Sequence, residues 1–460
     1  MARKKGLSPN IRAAALRLLY EVEVKGAYTN LLLDKELRHN SWGAADRALL
    51  TELVSGTTRM RKHLDWVLDL FLSRSIKKQN PWLRNILRMA AYQLLFLEKI
   101  PDYAVVNESV NLARARLGSS VSRLVNAVLR NLVRNRGRLT YPDPRKNPVE
   151  YLAVYYSHPE WLVVRWLARY GFDATRGLLE YDNLSPGVTV RTNFLRTDRQ
   201  ALLDSLRADE CRCEASLLTP WGVRILNLAG TLRHLDAFRS GWFYVQDEAS
   251  MLVTPALDPV ENQLVYDLTA GVGGKTTHLA EMMNNQGVIR AGELHKGKLD
   301  VLRANTARLG ITMVEACSCN LLESLPDEWG VGDRVLLDAP CSGLGVLRRR
   351  ADARWKRSPE DLDQLARLQQ DMLNRAAGLV KPGGVLVYST CTLEPEENEQ
   401  VVESFLVRHR DFVLEDLTGA LEFFPFTEED RRQAAQGMIT LFPPRYGIDG
   451  MFIARLRRAP

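Results

Sequence analysis

Two cysteines hold the main chemical possibilities of this chain. Cys341 follows the run Val335-Leu336-Leu337-Asp338-Ala339-Pro340, and Cys391 follows Val385-Leu386-Val387-Tyr388-Ser389-Thr390. Each run is short, apolar and strand-like, and each cysteine sits where its strand should end. In an open α/β sheet, ligands bind outside the carboxyl ends of the strands. Two thiols delivered there by two different strands suit a site where one attacks and the other assists. A free cysteine is more often a buried hydrophobic residue, and either one alone reads that way. The glycine-rich turn upstream, Asp267 to Lys275, reverses that reading for the pair.

The elements that must position these thiols alternate from residue 264 onward, which predicts a parallel sheet. Strands are expected over 264–268, 287–293 and 334–337, with a helix between 297 and 309. Ser358-Pro359-Glu360-Asp361 predicts the start of a long helix, with Ser358 as cap, Pro359 in the first turn and Asp361 closing a capping box. That helix should end near Lys381-Pro382-Gly383-Gly384 and lead into the strand before Cys391, and Pro395-Glu396-Glu397-Asn398 should begin another helix.

Upstream, residues 8 to 136 repeat apolar positions at helical spacing, as in Ile11, Ala14, Ala15, Leu18, Leu19 and Val22. No strand pattern interrupts them, so an all-helical bundle is expected. A proline-rich connector at 141–148 leads to a mixed stretch, read as a small α+β subdomain. The expected domains are therefore 1–140, 150–240 and 241–460.

Charge divides along the same line. Residues 1–138 hold 25 Lys and Arg against 11 Asp and Glu, a net of +14, whereas the whole chain carries +7 and the remainder therefore −7. Such a local excess predicts docking on a polyanion, the bland alternative being a solvated basic surface. The N-terminal Met1-Ala2-Arg3-Lys4-Lys5-Gly6 is basic but is followed by no signal-peptide segment, and no apolar run is long enough to span a bilayer. A cytoplasmic protein, with no membrane partner, is expected. Six cysteines in 460 residues make no disulfide framework. Cys211-Arg212-Cys213 and Cys317-Ser318-Cys319 are spaced too tightly for zinc, so no metal is expected.

The turn Thr269-Ala270-Gly271-Val272-Gly273-Gly274-Lys275 lets the backbone bend sharply and approach a ligand, and the helix it opens offers free N–H groups. Glu293 ends the next strand, where a doubly wound fold places an acid for ribose hydroxyls. A P-loop is excluded, because the position five before Gly274 holds Thr269. A nucleoside-bearing cofactor without a pyrophosphate fits best.

At this point the chain resembles the RNA cytosine carbon-5 methyltransferases that use S-adenosylmethionine. The resemblance rests on Gly274-Lys275-Thr276-Thr277-His278, Asp338-Ala339-Pro340-Cys341 and Ser389-Thr390-Cys391, with Gly241 to Ser250 resembling that family's entry into its catalytic domain. The basic helical N-terminus resembles a NusB-like RNA-binding domain. Together these resemble the RsmB/Sun/Fmu family of bacterial 16S rRNA (cytosine-5) methyltransferases. The resemblance implies an α/β fold: a Rossmann-like methyltransferase domain preceded by a small α+β subdomain and an all-helical NusB-like domain. It implies small-subunit rRNA as partner, and a monomer is expected.

Residue by residue, the resemblance makes Cys391 the nucleophile, Cys341 the cysteine that helps release product and Asp338 the acid at the target base, near the cofactor. It places Thr269, Ala270, Gly271, Val272, Gly273, Gly274 and Lys275 around the methionine and ribose portions, Glu293 at the ribose and Asn320 at the adenine edge. The turn departs from the family's usual Cys-Ala-Ala-Pro-Gly-Gly-Lys, and aspartate is usual at 293 and 320. Those departures motivate an alternative: an RNA-binding assembly or transcription factor whose transferase domain is inactive. A transferase acting on tRNA is a further alternative. Arg348-Arg349-Arg350 and Arg354-Trp355-Lys356-Arg357 are expected to hold phosphates and stack a base. His278 is expected to pack or cap.

Overall fold

The computed structural model describes residues 10–40, 42–228, 230–323, 325–326 and 329–460. The basic Met1–Gly6 segment lies outside them. The chain divides into two compact units, one of residues 1–185 with 347–357, the other of 186–346 with 358–460.

Among the described residues of the first unit no strand forms. Its longer helices are α1 (Ile11–Val24), α2 (Thr29–His39), α3 (Ala44–Arg59), α4 (Arg61–Asp69), α5 (Pro81–Phe96), α6 (Asp102–Leu117), α7 (Ser119–Asn135), α8 (Pro148–Tyr155) and α9 (Glu160–Tyr181). Their three-and-four apolar spacing closes into one core through Leu18, Leu50, Leu64, Ile86, Val125 and Leu129. A buried ion network crosses that core. Arg88 of α5 donates to both carboxylate oxygens of Asp65 in α4, at 2.5 and 2.7 Å, and to Glu23 of α1 at 2.6 Å. Proline fixes two helix starts: Pro81 after the Asn80 cap, and Pro148 after the Asn147 cap. At Gly171 in α9, φ is 75°, a break that the run 161–170 gives no sign of.

The second unit opens with a four-stranded antiparallel sheet of β1 (Val188–Thr192), β2 (Arg212–Ala215), β3 (Gly222–Asn227) and β4 (Phe243–Val245), in the order β2-β3-β1-β4. The larger sheet contains β5 (Leu264–Asp267), β6 (Val288–Glu293), β7 (Val314–Ser318), β8 (Gly332–Asp338), β9 (Val380–Thr390), β10 (Phe412–Leu414), β11 (Met438–Leu441) and β12 (Met451–Arg458). Its order is β10-β12-β9-β8-β5-β6-β7, with β11 paired to β12. Pairings from β7 to β9 are parallel, and those of β12 are antiparallel.

The parallel strands alternate between two buried faces. Val265, Leu336 and Val387 join one core, and Tyr266, Val335, Leu337 and Tyr388 the other. Burial on both faces explains their near-continuous apolar sequence. The capping box at Ser358 forms as expected, but the helix ends at Ala377. Lys381 to Gly384 lie inside β9, where the register against β8 shifts. The antiparallel edge β10 to β12 is absent from the sequence expectations.

Two buried groups tie the second unit together. Arg191 on β1 donates to Glu281 at 2.7 and 2.9 Å, to the Gly274 carbonyl at 2.8 Å and to Thr277 at 2.9 Å, and also bonds Gln246. The small sheet is thereby fixed to the helix Gly274–Met282 that follows the glycine turn. At the end of β5, Asp267 accepts from Thr276 at 2.6 Å, and burial pushes its carboxyl up to about 6.

Replacing Arg191 by Met leaves Glu281 buried without its partner, which should cost about 3–5 kcal/mol in urea unfolding. The double variant Arg191→Met/Glu281→Leu should recover most of that loss; a double variant as unstable as the single one would contradict it. For Asp267 the folded carboxyl titrates above its ordinary value of 3.8, so the stability it contributes is full below that value and lost as pH rises through about 6. An amide at position 267 can still accept from Thr276. The stability difference between Asp267→Asn and wild type should therefore shift in favour of the variant as pH is raised, and a pH-independent difference would refute the buried-acid account.

Candidate active site

The site is built where β8 and β9 end side by side. Parallel pairing sets Asp338 opposite Ser389, and three residues beyond Asp338 and two beyond Ser389 come the cysteines. Their sulfurs lie 3.3 Å apart. Both side chains are partly exposed. A hydrogen bond to Cys391, followed by burial, pushes the Cys341 thiol well above its ordinary range.

Asp338 stands between the cysteines and the glycine turn. Lys275 donates to its Oδ2 at 2.5 Å and Ser389 to its Oδ1 at 2.8 Å, while Thr269 Oγ1 donates to its backbone carbonyl at 2.9 Å. One aspartate therefore joins the first residue of the turn, its last residue and the strand that carries Cys391.

The turn itself depends on backbone that only glycine adopts readily. Gly271 and Gly273 have φ of 58° and 93°, and a side chain at Gly273 would press on Leu302 at 3.1 Å. Beside Gly271 the space a Cβ would fill is open, with nothing nearer than the Thr269 carbonyl at 4.0 Å. Glu293 reaches back to the turn: its carboxylate accepts from Gly271 N at 3.1 Å and from His295 N at 2.8 Å, and lies 3.4 Å from Lys298. Asn320 follows β7 and closes its own loop, accepting from Leu322 N at 3.1 Å and donating to Glu323 at 2.9 Å. Open backbone at Gly271, an acid with free acceptor capacity at 293 and an amide at 320 fit the sugar and base edges of a nucleoside cofactor. The turn, Glu293, Lys275 and Asp338 form one connected set; Asn320 is held at the next strand end by contacts within its own loop.

Several supporting residues give no signal in the sequence. Glu397 is buried and accepts from Ser342 N at 2.8 Å and from Gln369 at 2.9 Å. Ser342 and Thr392 share a hydroxyl bond of 2.7 Å, and Gly345 N donates to the Cys391 carbonyl at 3.0 Å. A side chain at Gly345 would lie 2.8 Å from the Gly450 carbonyl, so the loop after Cys341 packs backbone against backbone. The stretch Pro395-Glu396-Glu397-Asn398, expected to start a helix, is a turn instead, and the helix begins at Glu399. Its nearness to Cys391 in sequence is the available clue to a supporting role.

Part of the arginine-rich segment departs from expectation. Residues 347–357 fold within the first unit, and Arg354, Trp355 and Lys356 bind protein rather than lining a free surface. Arg354 is fully buried and donates to the Ser157 carbonyl at 3.2 Å, to Asn183 at 2.9 Å and to the Asp182 carbonyl at 3.1 Å. Trp355 donates to the Thr58 carbonyl at 2.7 Å and Lys356 to that of Ala27 at 2.9 Å. A guanidinium enclosed by the protein and bonded to three of its oxygens is not available to phosphate. His278 packs as expected, fully buried and edge-on to Trp221 at 4.8 Å between centroids, and burial holds its imidazole well below the usual range.

Comparison with known proteins identifies the family. A family model described as 16S rRNA methyltransferase RsmB/F matches residues 254–457, the NusB family matches 9–134, and the ferredoxin-like domain of RsmF/B-like methyltransferases matches 158–229. The chain is 38% identical over 452 residues to the Probable ribosomal RNA small subunit methyltransferase B of Bacillus subtilis, covering 98% of this chain and 99% of that one. It is 36% identical over 455 residues to the protein of the same name from Synechocystis, covering 97% and 99%. The crystal structure of PH0851 superposes with a TM-score of 0.80 at 28% identity, covering 99% of this chain and all of that one. No helix among the described residues is long and apolar enough to cross a membrane. The chain therefore belongs to the RsmB/F family of 16S rRNA methyltransferases, which depend on S-adenosylmethionine.

Proposed function

We propose that this protein methylates carbon 5 of a cytosine in small-subunit rRNA, through a covalent bond between Cys391 and carbon 6 of the base, in the cytoplasm. The observation that carries this reading is the pair of sulfurs 3.3 Å apart at adjacent strand ends, beside a carboxylate joined to the glycine turn. The names of the Bacillus and Synechocystis relatives support the choice of RNA.

Carbon 5 of cytosine is a weak nucleophile. Addition of a thiolate to carbon 6 moves electron density onto carbon 5 and makes it one. Cys391 is assigned this addition on the resemblance of Ser389-Thr390-Cys391 to the family's signature, with Cys341 as its partner at 3.3 Å. Asp338, with the Lys275 ammonium bonded to it, faces the developing charge at ring nitrogen 3 as a proton-bearing pair. The cofactor supplies an electrophilic methyl group on a sulfonium. Thr269 to Lys275 and Glu293 would hold it, and Asn320 would meet its base. A water molecule ordered by Cys341 then takes the carbon 5 proton, the electron pair returns to expel Cys391, and Cys341 is assigned to this release. The base must be unpaired or turned out of its helix to reach two half-buried thiols at strand ends.

Incubation with S-adenosylmethionine and unmodified small-subunit rRNA, read by bisulfite sequencing, should protect one cytosine. Cys391→Ala should lower methyl transfer by at least about 10³-fold; full activity in that variant would overturn the mechanism. Cys341→Ala should accumulate a protein–RNA adduct that survives denaturing electrophoresis, and absence of that band under turnover would refute its release role.

A further inference from the structure

The first unit contains a cavity of about 750 Å³ that the reaction above does not use. That volume lies within the roughly 300–1,000 Å³ typical of small-ligand sites. It opens between the end of α5, the connector after α7 and the helix pair α8–α9, and its lining is aromatic. Phe96 and Tyr155 are each 40% exposed and line the same cavity, so they form part of one aromatic patch. The wall behind them is fixed. Tyr141 stacks on Trp66 with centroids 5.0 Å apart and meets Tyr155 at 5.1 Å and 78°. His63 lies edge-on to Phe96 at 5.4 Å, with its ring nitrogens on the Tyr155 carbonyl and the Tyr141 hydroxyl.

Two arginines bound the same space. Arg59 is only 6% exposed and lines the cavity, yet it forms no ion pair among the described residues. Its Nε is buried without a hydrogen-bond partner, and Nη2 reaches just one protein acceptor, the Arg348 carbonyl at 3.5 Å. Glu52 and Asp182 favour its charge from a distance but leave its donors short of acceptors, and an anion seated in the cavity would complete them. Arg136 stands exposed at the mouth, paired with Asp102 at 2.9 Å. Glu98 and Glu180 lie on the rim, where they disfavour a stretch of backbone lying flat but can accept from the amino and imino groups of a base.

We propose that this cavity binds an unpaired nucleotide of the RNA, its base against Phe96, Tyr141 and Tyr155 and its phosphate at Arg59 and Arg136. The inference rests on RNA being the substrate. It fits the net charge of +14 carried by residues 1–138, and aromatic rings beside cations are the means by which proteins hold unpaired bases. The nucleotide bound here is held on the first unit, so it anchors the strand rather than presenting the reacting base.

The test uses the full-length protein and small-subunit rRNA fragments carrying 4-thiouridine, crosslinked by light and mapped by mass spectrometry. Crosslinks at Phe96, Tyr141 or Tyr155 are expected. Phe96→Ala and the surface change Arg136→Ala should raise KM for RNA about tenfold while kcat at saturating RNA is kept; circular dichroism confirms that each variant is folded. Crosslinks confined to residues 338–345, with KM unchanged, would overturn the anchor while leaving the proposed reaction standing. No crosslink anywhere would overturn both. Tight binding of uridine 5′-monophosphate without RNA crosslinks in the cavity would also overturn the proposal, in favour of a free nucleotide.

Discussion

The parallel pairing of β8 with β9 is the constraint on which the site depends. A strand's side chains alternate, so a slip of one residue would turn one cysteine away from the other. The register that sets Asp338 against Ser389 is specified by burial on both sheet faces, since Leu336 and Val387 belong to one core and Leu337 and Tyr388 to the other. A slip would exchange those cores, and the misfit of side chains such as Tyr388 in the wrong core is what opposes it and keeps the two sulfurs at 3.3 Å. Beyond the strand ends, where no ladder guides the chain, polar contacts take over. Glu397 holds Ser342, Thr392 bonds Ser342, and Gly345 lies against the Cys391 carbonyl.

Buried guanidinium groups do similar work elsewhere in each unit. Arg191 satisfies five oxygens on two segments of the second unit, Gln246 and the helix Gly274–Met282. Arg88 and Arg354 join separate segments of the first. Each group's fork of donors needs several acceptors at once, so it fixes the geometry of segments that apolar contact alone would leave free to slide. Arg59 differs in lacking such a set, and that contrast is what marks its cavity.

The parallel part of the fold is legible in the sequence because strands buried on both faces leave a continuous apolar run, and because glycine and proline mark their ends. The strands expected at 264–268 and 287–293 differ from those found by a residue at one end. The edge strands β10 to β12 escape such a reading: they are short, or rich in arginine, and their identity depends on pairing with β9 rather than on local pattern. The cysteines, Asp338 and the glycine turn are visible because their chemistry is rare at that spacing. Glu397, Gln369 and Arg191 are not, because a buried polar residue is indistinguishable in sequence from an exposed one until its partners are known. The same ambiguity governs Arg354-Trp355-Lys356, whose charges suggest a nucleic acid and whose partners include backbone carbonyls of Ser157, Thr58 and Ala27.

The central claim is that Cys391 forms a bond to the base before the methyl group moves. Small-subunit rRNA containing 5-fluorocytidine tests it most directly, because fluorine at carbon 5 cannot leave as a proton does and the adduct cannot be released. With S-adenosylmethionine present, digestion and mass spectrometry should find a nucleotide, already methylated, attached to the peptide carrying Cys391. Methylation of ordinary RNA together with an adduct on Cys341, or with no adduct on fluorinated RNA, would contradict the account.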